Sequence, residues 1–214
     1  ARQTGKTTLS LELIHQTVGK EDCKFFNCDN PTDRELLTNK DMDFLRHLVG
    51  EAKVIFIDEG QKVTTIGQTV KLLVDFYKQE KQVVVTGSSS INLLDSVEES
   101  LAGRKFVYTL FPLSLEEIFP DKDLLAINKE LQTLMIFGSY PEVAEEKAFE
   151  RKIELLRNLQ SSYLYKDVLE FQGIRNSDII MKLVKALALQ IGSAVSYSEL
   201  SSLLGIDKKT VEHY

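Results

Sequence analysis

The sequence predicts an α/β protein built on a parallel sheet and continued by a helical region. Three observations predict it. "VIFID" and "QVVVT" are unbroken apolar runs with polar ends, the pattern of strands buried on both faces. Stretches of helical period, each of about a dozen residues, separate such runs as far as residue 115, as in a doubly wound sheet. The chain also opens on "TGKTT" directly ahead of a helical stretch, and no further strand pattern follows residue 115.

In order, "KTTLSLELIHQTV" is apolar at Leu9, Leu11, Leu13, Ile14 and Val18 and reads as a helix opening at Gly5. "CKFFNCDNP" is a short aromatic strand stopped by Asn30-Pro31, and "RELLTNKDMDFLRHLVG" is helical with a mixed pattern. "AKVIFIDEGQ" is a buried strand ending in two acids. "TIGQTVKLLVDFYKQEK" is an amphipathic helix, "QVVVTGSSS" a second buried strand, and "INLLDSVEESLAGR" a helix ending at Gly103. "KFVYTLFPLS" reads as a last strand, stopped by Pro112. Beyond it, "EEIFP", "LLAINKELQTLMIFG", "PEVAEEKAFERKIELLRNLQSSYLYKDVLEF" and "DIIMKLVKALALQIG" are all helical in period. The expected division is therefore residues 1–117 for the α/β domain, 118–191 for a helical region and 192–214 for a terminal module.

The net charge of −6 argues against a surface that grips nucleic acid as a whole, without excluding a locally neutral or basic module. No apolar run is long enough to span a bilayer, so no membrane partner is expected. Cys23 and Cys28, the two cysteines, read as reduced thiols of a cytoplasmic protein.

Gly5, Lys6 and Thr7 match the end of the phosphate-binding pattern G-x-x-x-x-G-K-[ST]. Backbone N–H groups at such a turn converge on phosphate, and the helix N-terminus adds partial positive charge. Gly5 lets the backbone approach, Lys6 supplies a point charge to the β/γ-phosphates, Thr8 continues the phosphate-binding turn and the Thr7 hydroxyl suits Mg²⁺. The first glycine of the pattern, and a strand before it, would fall ahead of Ala1. Asp58 and Glu59 end the "VIFIDE" strand, where open α/β sheets place ligands. Asp58 suits the Mg²⁺ shell, and Glu59 suits a general base acting on water. Thr86 and Ser88, at the end of the next strand, both suit a γ-phosphate contact. Arg104 in "LAGR" suits a transition-state arginine, in cis or from a neighbouring subunit.

"ARQTGKTTL", "VIFIDE", "TGSSS…LAGR…LFPLSLEEIF", "GSYPEV" and "YLYKDV", in this order, resemble a group of prokaryotic AAA+-type ATPases. That group carries an ATPase domain, a winged helix and a C-terminal domain of unknown function, often described as nuclease-like. The resemblance covers nearly the whole chain. It implies a P-loop NTPase sheet of ASCE type, strand order 5-1-4-3-2, with ATP as nucleotide. It carries across Lys6, Thr7, Asp58 and Glu59 as core ATPase residues, and Ser88 and Arg104 with them. The chain departs from the group at both ends: the first glycine and strand fall before Ala1, and no C-terminal domain follows Tyr214. It therefore reads as an internal fragment, expected to bind ATP poorly by itself. Lys166 and Asp167 mark the resemblance and suggest no chemistry.

The terminal module reads as the start of a winged helix, a helix-turn-helix. Ser196 with Glu199 makes a capping box, Gly205 the turn, and Asp207 a cap for "KKTVEHY", with Val211 inward and Lys208, Lys209 and Thr210 outward. Residues 175–214 hold five Lys/Arg against four Asp/Glu, so a DNA partner and a packing or protein-contact role both stay open. Two functions follow: an ATPase whose nucleotide state moves the helical part, or a nucleotide-dependent switch acting through protein contacts or self-assembly with little hydrolysis. A small-molecule kinase shares the phosphate loop but suits neither the Asp-Glu strand end nor the lack of an arginine-rich lid.

Overall fold

The structure, a computed structural model, describes residues 3–87, 101, 103–121, 123–161 and 177–213. The chain forms two compact units, Ala1–Lys147 and Ala148–Tyr214, and the expected limits at 117 and 191 fall inside them.

The first unit is an α/β layer structure. Among the described residues its sheet has three parallel strands in the order β1 (Cys23–Asn27), β2 (Val54–Asp58), β3 (Gln82–Val85). The central strand β2 is buried along its whole length, which is why its sequence is apolar without alternation. Register pairs Phe25 with Phe56 and Val84, and Phe26 with Ile57 and Val85, so side chains at alternate positions serve opposite faces. On one face α1 (Lys6–Val18) packs Leu11, Ile14 and Val18 against Cys23, Val54, Phe56 and Val84. On the other, α2 (Pro31–Leu37), α3 (Met42–Val49) and α4 (Ile66–Tyr77) bury Leu37, Leu45, Val49, Val70 and Leu73 against Phe26, Ile55 and Ile57.

Phe56 is fully buried and stacks on Phe25 with ring centroids 5.2 Å apart. Phe56→Ala should destabilise the fold by about 3–5 kcal/mol through lost transfer energy and the cavity left behind. The check is the urea midpoint followed by circular dichroism, and a midpoint equal to wild type would exclude Phe56 from the cooperative core.

The stretch expected as one mixed helix forms two. Asn30 caps α2, with Pro31 in its first turn, and Asp41 caps α3 by accepting from the Phe44 N–H at 2.8 Å. Residues 105–110, expected as a strand, lie in no ladder. Its aromatic residues carry strand propensity, but a strand forms only where a neighbour completes its ladder and satisfies its backbone groups. Phe106 and Tyr108 are accordingly 89% and 88% exposed. The segment is tied down further on, where the Leu113 N–H donates to Ser139 O at 2.9 Å. Among the described residues, α5 (Leu115–Ile118), held by the Ser114–Glu117 capping box, α6 (Leu124–Phe137) and α7 (Pro141–Glu145) follow in this unit. Cys23 and Cys28 are free thiols, and burial pushes the Cys28 thiol up to about 12, with Asp33 and Asp58 adding to the effect.

The second unit holds α8 (Phe149–Leu159), α9 (Ser177–Leu189), α10 (Tyr197–Leu204) and α11 (Lys208–His213). Leu183, Ala186, Leu200 and Val211 form its buried cluster. Ser196 accepts from the Glu199 N–H to start α10. Gly205 takes a left-handed conformation (φ 66°, ψ 33°) that a side chain would strain, and it turns the chain into α11. Asp207 accepts from the Thr210 N–H at 3.0 Å and from its hydroxyl at 2.5 Å, bonds that hold the Asp207 carboxyl below its usual range. Among the described residues, no helix is long and apolar enough to cross a membrane.

Candidate functional site

The site lies where α1 begins and β2 ends. Gly5 is left-handed (φ 83°, ψ 15°), and a Cβ placed on it would meet nothing within 4 Å, so the glycine answers to backbone conformation and not to crowding. Its carbonyl accepts from the Leu9 N–H at 2.9 Å, opening a helix of 13 residues whose first N–H groups face out of its end. Lys6, Thr7 and Thr8 are the first three residues of that helix, with Lys6 and Thr7 half-buried and Thr8 exposed.

The Thr7 hydroxyl donates to Asp58 Oδ2 at 2.8 Å across 51 residues of sequence. The Thr86 hydroxyl donates to the other oxygen, Asp58 Oδ1. Asp58 is 5% exposed, so both oxygens of a buried carboxylate are satisfied by hydroxyls, one from the helix start and one from the end of β3. Sheet register explains the meeting. Asp58 shares its strand face with Val54 and Phe56, the face that α1 covers.

Glu59 follows in a left-handed conformation (φ 52°, ψ 40°), which costs a residue other than glycine on the order of 1–3 kcal/mol. The chain then enters a single 3₁₀ turn, Gly60–Lys62. Three contacts hold that turn: the Gly60 N–H donates to Thr86 O at 2.9 Å, Lys62 pairs with Asp29, and Val63 is buried behind it. Gln61 Nε2 donates to Glu59 Oε2 at 2.5 Å.

Of the sequence-derived residues, the structure brings together Gly5, Lys6 and Thr7 with Asp58, and sets Glu59 next in the chain. Ser88 lies outside the described residues, as do Lys166 and Asp167. Arg104 is not at this cluster, because it pairs with Asp75 of α4. That helix is the crossover between parallel β2 and β3, so it starts near the end of β2 and runs back along the sheet. Asp75 is roughly 13 Å further along it than Ile66 at 1.5 Å per residue. Sequence reasoning weighed Thr86 only against phosphate, and its bond to Asp58 depends on strand register. It did not find Gln61, whose sole signal is a place two residues after Glu59.

Residues 1–119 match the AAA domain family, and residues 128–214 match a domain of unknown function (DUF8612). An uncharacterized protein of Methanocaldococcus jannaschii is 27% identical over 220 residues, which is 95% of this chain and 48% of that protein. One of Mycobacterium tuberculosis is 27% identical over 216 residues, 100% of this chain and 45% of that protein. A replication factor C small subunit of Sulfurisphaera tokodaii is 24% identical over 136 residues, 60% of this chain and 40% of that subunit. The chain spans about half the length of the curated relatives it matches. With a glycine-lysine-threonine helix start set against a strand-end aspartate, and the AAA match over more than half of its length, the chain belongs to the AAA-type P-loop ATPase family, with a domain of unknown function after the ATPase part.

Proposed function

We propose that the protein is a cytoplasmic ATPase that hydrolyses Mg-ATP to drive a conformational change. The observation that carries this is the Thr7–Asp58 hydrogen bond, which joins the start of α1 to the end of β2. A hydroxyl and a carboxylate are hard oxygen donors and fit Mg²⁺, so Thr7 and Asp58 are the residues that hold it. When bound, that ion supplies positive charge to the phosphate oxygens. Gly5, the α1 N-terminus and Thr8 bind phosphate, and Lys6 places its charge at the β/γ-phosphates. Glu59 takes the proton of the attacking water. Ser88 contacts the γ-phosphate. Arg104 serves as the transition-state arginine, in cis or from a neighbouring subunit of a homo-oligomer, and its pairing with Asp75 within the chain favours the latter. The run 82–85, 54–58, 23–27 supports the order 5-1-4-3-2, of which it is the 4-3-2 part. Residues 1–117 are the ATPase domain, 118–191 the helical region and 192–214 part of a winged helix in this reading. The test is ATP turnover by the full-length protein against its Glu59→Gln variant.

The second reading is a nucleotide-dependent switch with little hydrolysis, acting through protein contacts. A wild-type protein that binds ATP without turnover would establish it.

A DNA partner is the finer part of the proposal. The α10–Gly205–α11 pair supports it, as does the relative named for replication, although that match covers 60% of this chain. Lys208 and Lys209 are exposed at the start of α11, while Val211 is buried beneath them. Thr210 is half-buried with its hydroxyl on Asp207, and Lys208 Nζ lies 3.9 Å from Glu212, so the two lysines are the groups to test. Lys208→Glu with Lys209→Glu should weaken duplex binding by the full-length protein and lower the log–log salt slope by about one per lost phosphate contact. Wild-type binding without a specific sequence should be weak, about 10⁻⁴ to 10⁻⁶ M at physiological salt. A titration at low salt that shows no binding, or binding indifferent to the double reversal, removes the DNA role.

A further inference from the structure

We propose that Gln61 is a positioning residue for water activation: its side-chain amide holds the Glu59 carboxylate in the orientation from which Glu59 takes a proton. The inference rests on the reading of Glu59 as general base. Three features of the turn carry it. Glu59 is left-handed, and this bends the chain so that side chains at positions 59 and 61, which diverge in a helix or lie along one face of a strand, meet at 2.5 Å. The turn bearing Gln61 is fixed on two sides, by the Gly60 N–H on Thr86 O and by Lys62 on Asp29, which belongs to the loop after β1. Thr86 also donates to Asp58, so the turn is tied to the residue that orients the proposed metal ligand. Gln61 is half-buried and neutral, so it can orient a carboxylate without adding charge next to triphosphate.

A carboxylate swinging on its own torsions is out of line with water for much of the time. Misplacement by about 1 Å at a reacting group costs up to about a hundredfold in rate. Gln61→Ala should therefore lower kcat by about tenfold to a hundredfold with KM for ATP unchanged. Gln61→Asn keeps the amide but is one methylene short, and it should show the same loss.

The experiment measures kcat and KM of the full-length protein for wild type, Glu59→Gln, Gln61→Ala, Gln61→Asn and the Glu59→Gln/Gln61→Ala double variant, with unfolding temperatures alongside. Support is a kcat loss at constant KM and unchanged unfolding temperature, with the double variant no slower than Glu59→Gln alone. If Glu59→Gln is inactive while Gln61→Ala and Gln61→Asn turn over like wild type or faster, the positioning role is overturned and the general-base reading stands. Further slowing in the double variant also overturns it, because Gln61 then acts on water or phosphate directly. A variant that loses rate only through a raised KM or a lowered unfolding temperature shows a binding or structural role instead. Wild-type turnover in Glu59→Gln, or none in wild type, removes the general-base reading and this inference with it.

Discussion

Glu59→Gln should keep Mg-ATP affinity and slow turnover by about 10²–10⁴-fold, the usual share of a general base. The substitution replaces a carboxylate oxygen by an amide, so shape and reach survive while the capacity to take a proton is lost. In the proposed site phosphate is gripped elsewhere, at the start of α1, so affinity has no reason to fall. The backbone at Glu59 is already strained, and glutamine tolerates that conformation no worse than glutamate, so the turn Gly60–Lys62 should persist. Single-turnover hydrolysis with a parallel ATP-binding titration separates the two effects. Turnover at the wild-type rate would show that another group activates water, and a wild type with no turnover would favour the switch.

Legibility in the sequence followed the source of each element's stability. β2 and β3 were legible because burial on both faces demands unbroken apolar side chains, and α1 because its apolar period begins at Gly5. The strand expected in "KFVYTLFPLS", stopped by Pro112, forms no ladder, since its aromatic residues have strand propensity but strand formation depends on a neighbour. The break between α2 and α3 was missed because Asp41 and the left-handed Asn39 sit within a stretch whose mixed pattern was read as one helix. At the candidate site, residue types and motif spacing pointed to Lys6, Thr7, Asp58 and Glu59, and the structure sets Thr7 on Asp58 with Glu59 next in the chain. Strand register made the Thr86–Asp58 bond, and one strained backbone angle made the Gln61–Glu59 bond. Neither has a period or a motif. Arg104 was chosen for its type and its place after Gly103, and the crossover helix carrying Asp75 draws it away from β2's end.

Lys6→Ala should weaken Mg-ATP binding by about a thousandfold. A unit charge 4 Å from a phosphate oxygen contributes roughly 4 kcal/mol at an effective dielectric of about 20. At 1.4 kcal/mol per tenfold, that is about three decades in affinity. Lys6 is half-buried in the first turn of α1, directly after the left-handed Gly5, so its backbone is already committed to the phosphate turn. Alanine is the better helix former, and the Thr7–Asp58 bond does not involve the lysine side chain, so the fold should persist. Isothermal titration of the full-length protein with Mg-ATP, alongside a thermal unfolding scan, checks both halves. Lost affinity with an unchanged unfolding midpoint assigns the effect to charge. Lost affinity with a collapsed midpoint would show that Lys6 supports the turn itself. Unchanged affinity would remove the phosphate loop, because Lys6 is the charge that the loop pattern places at the β/γ-phosphates.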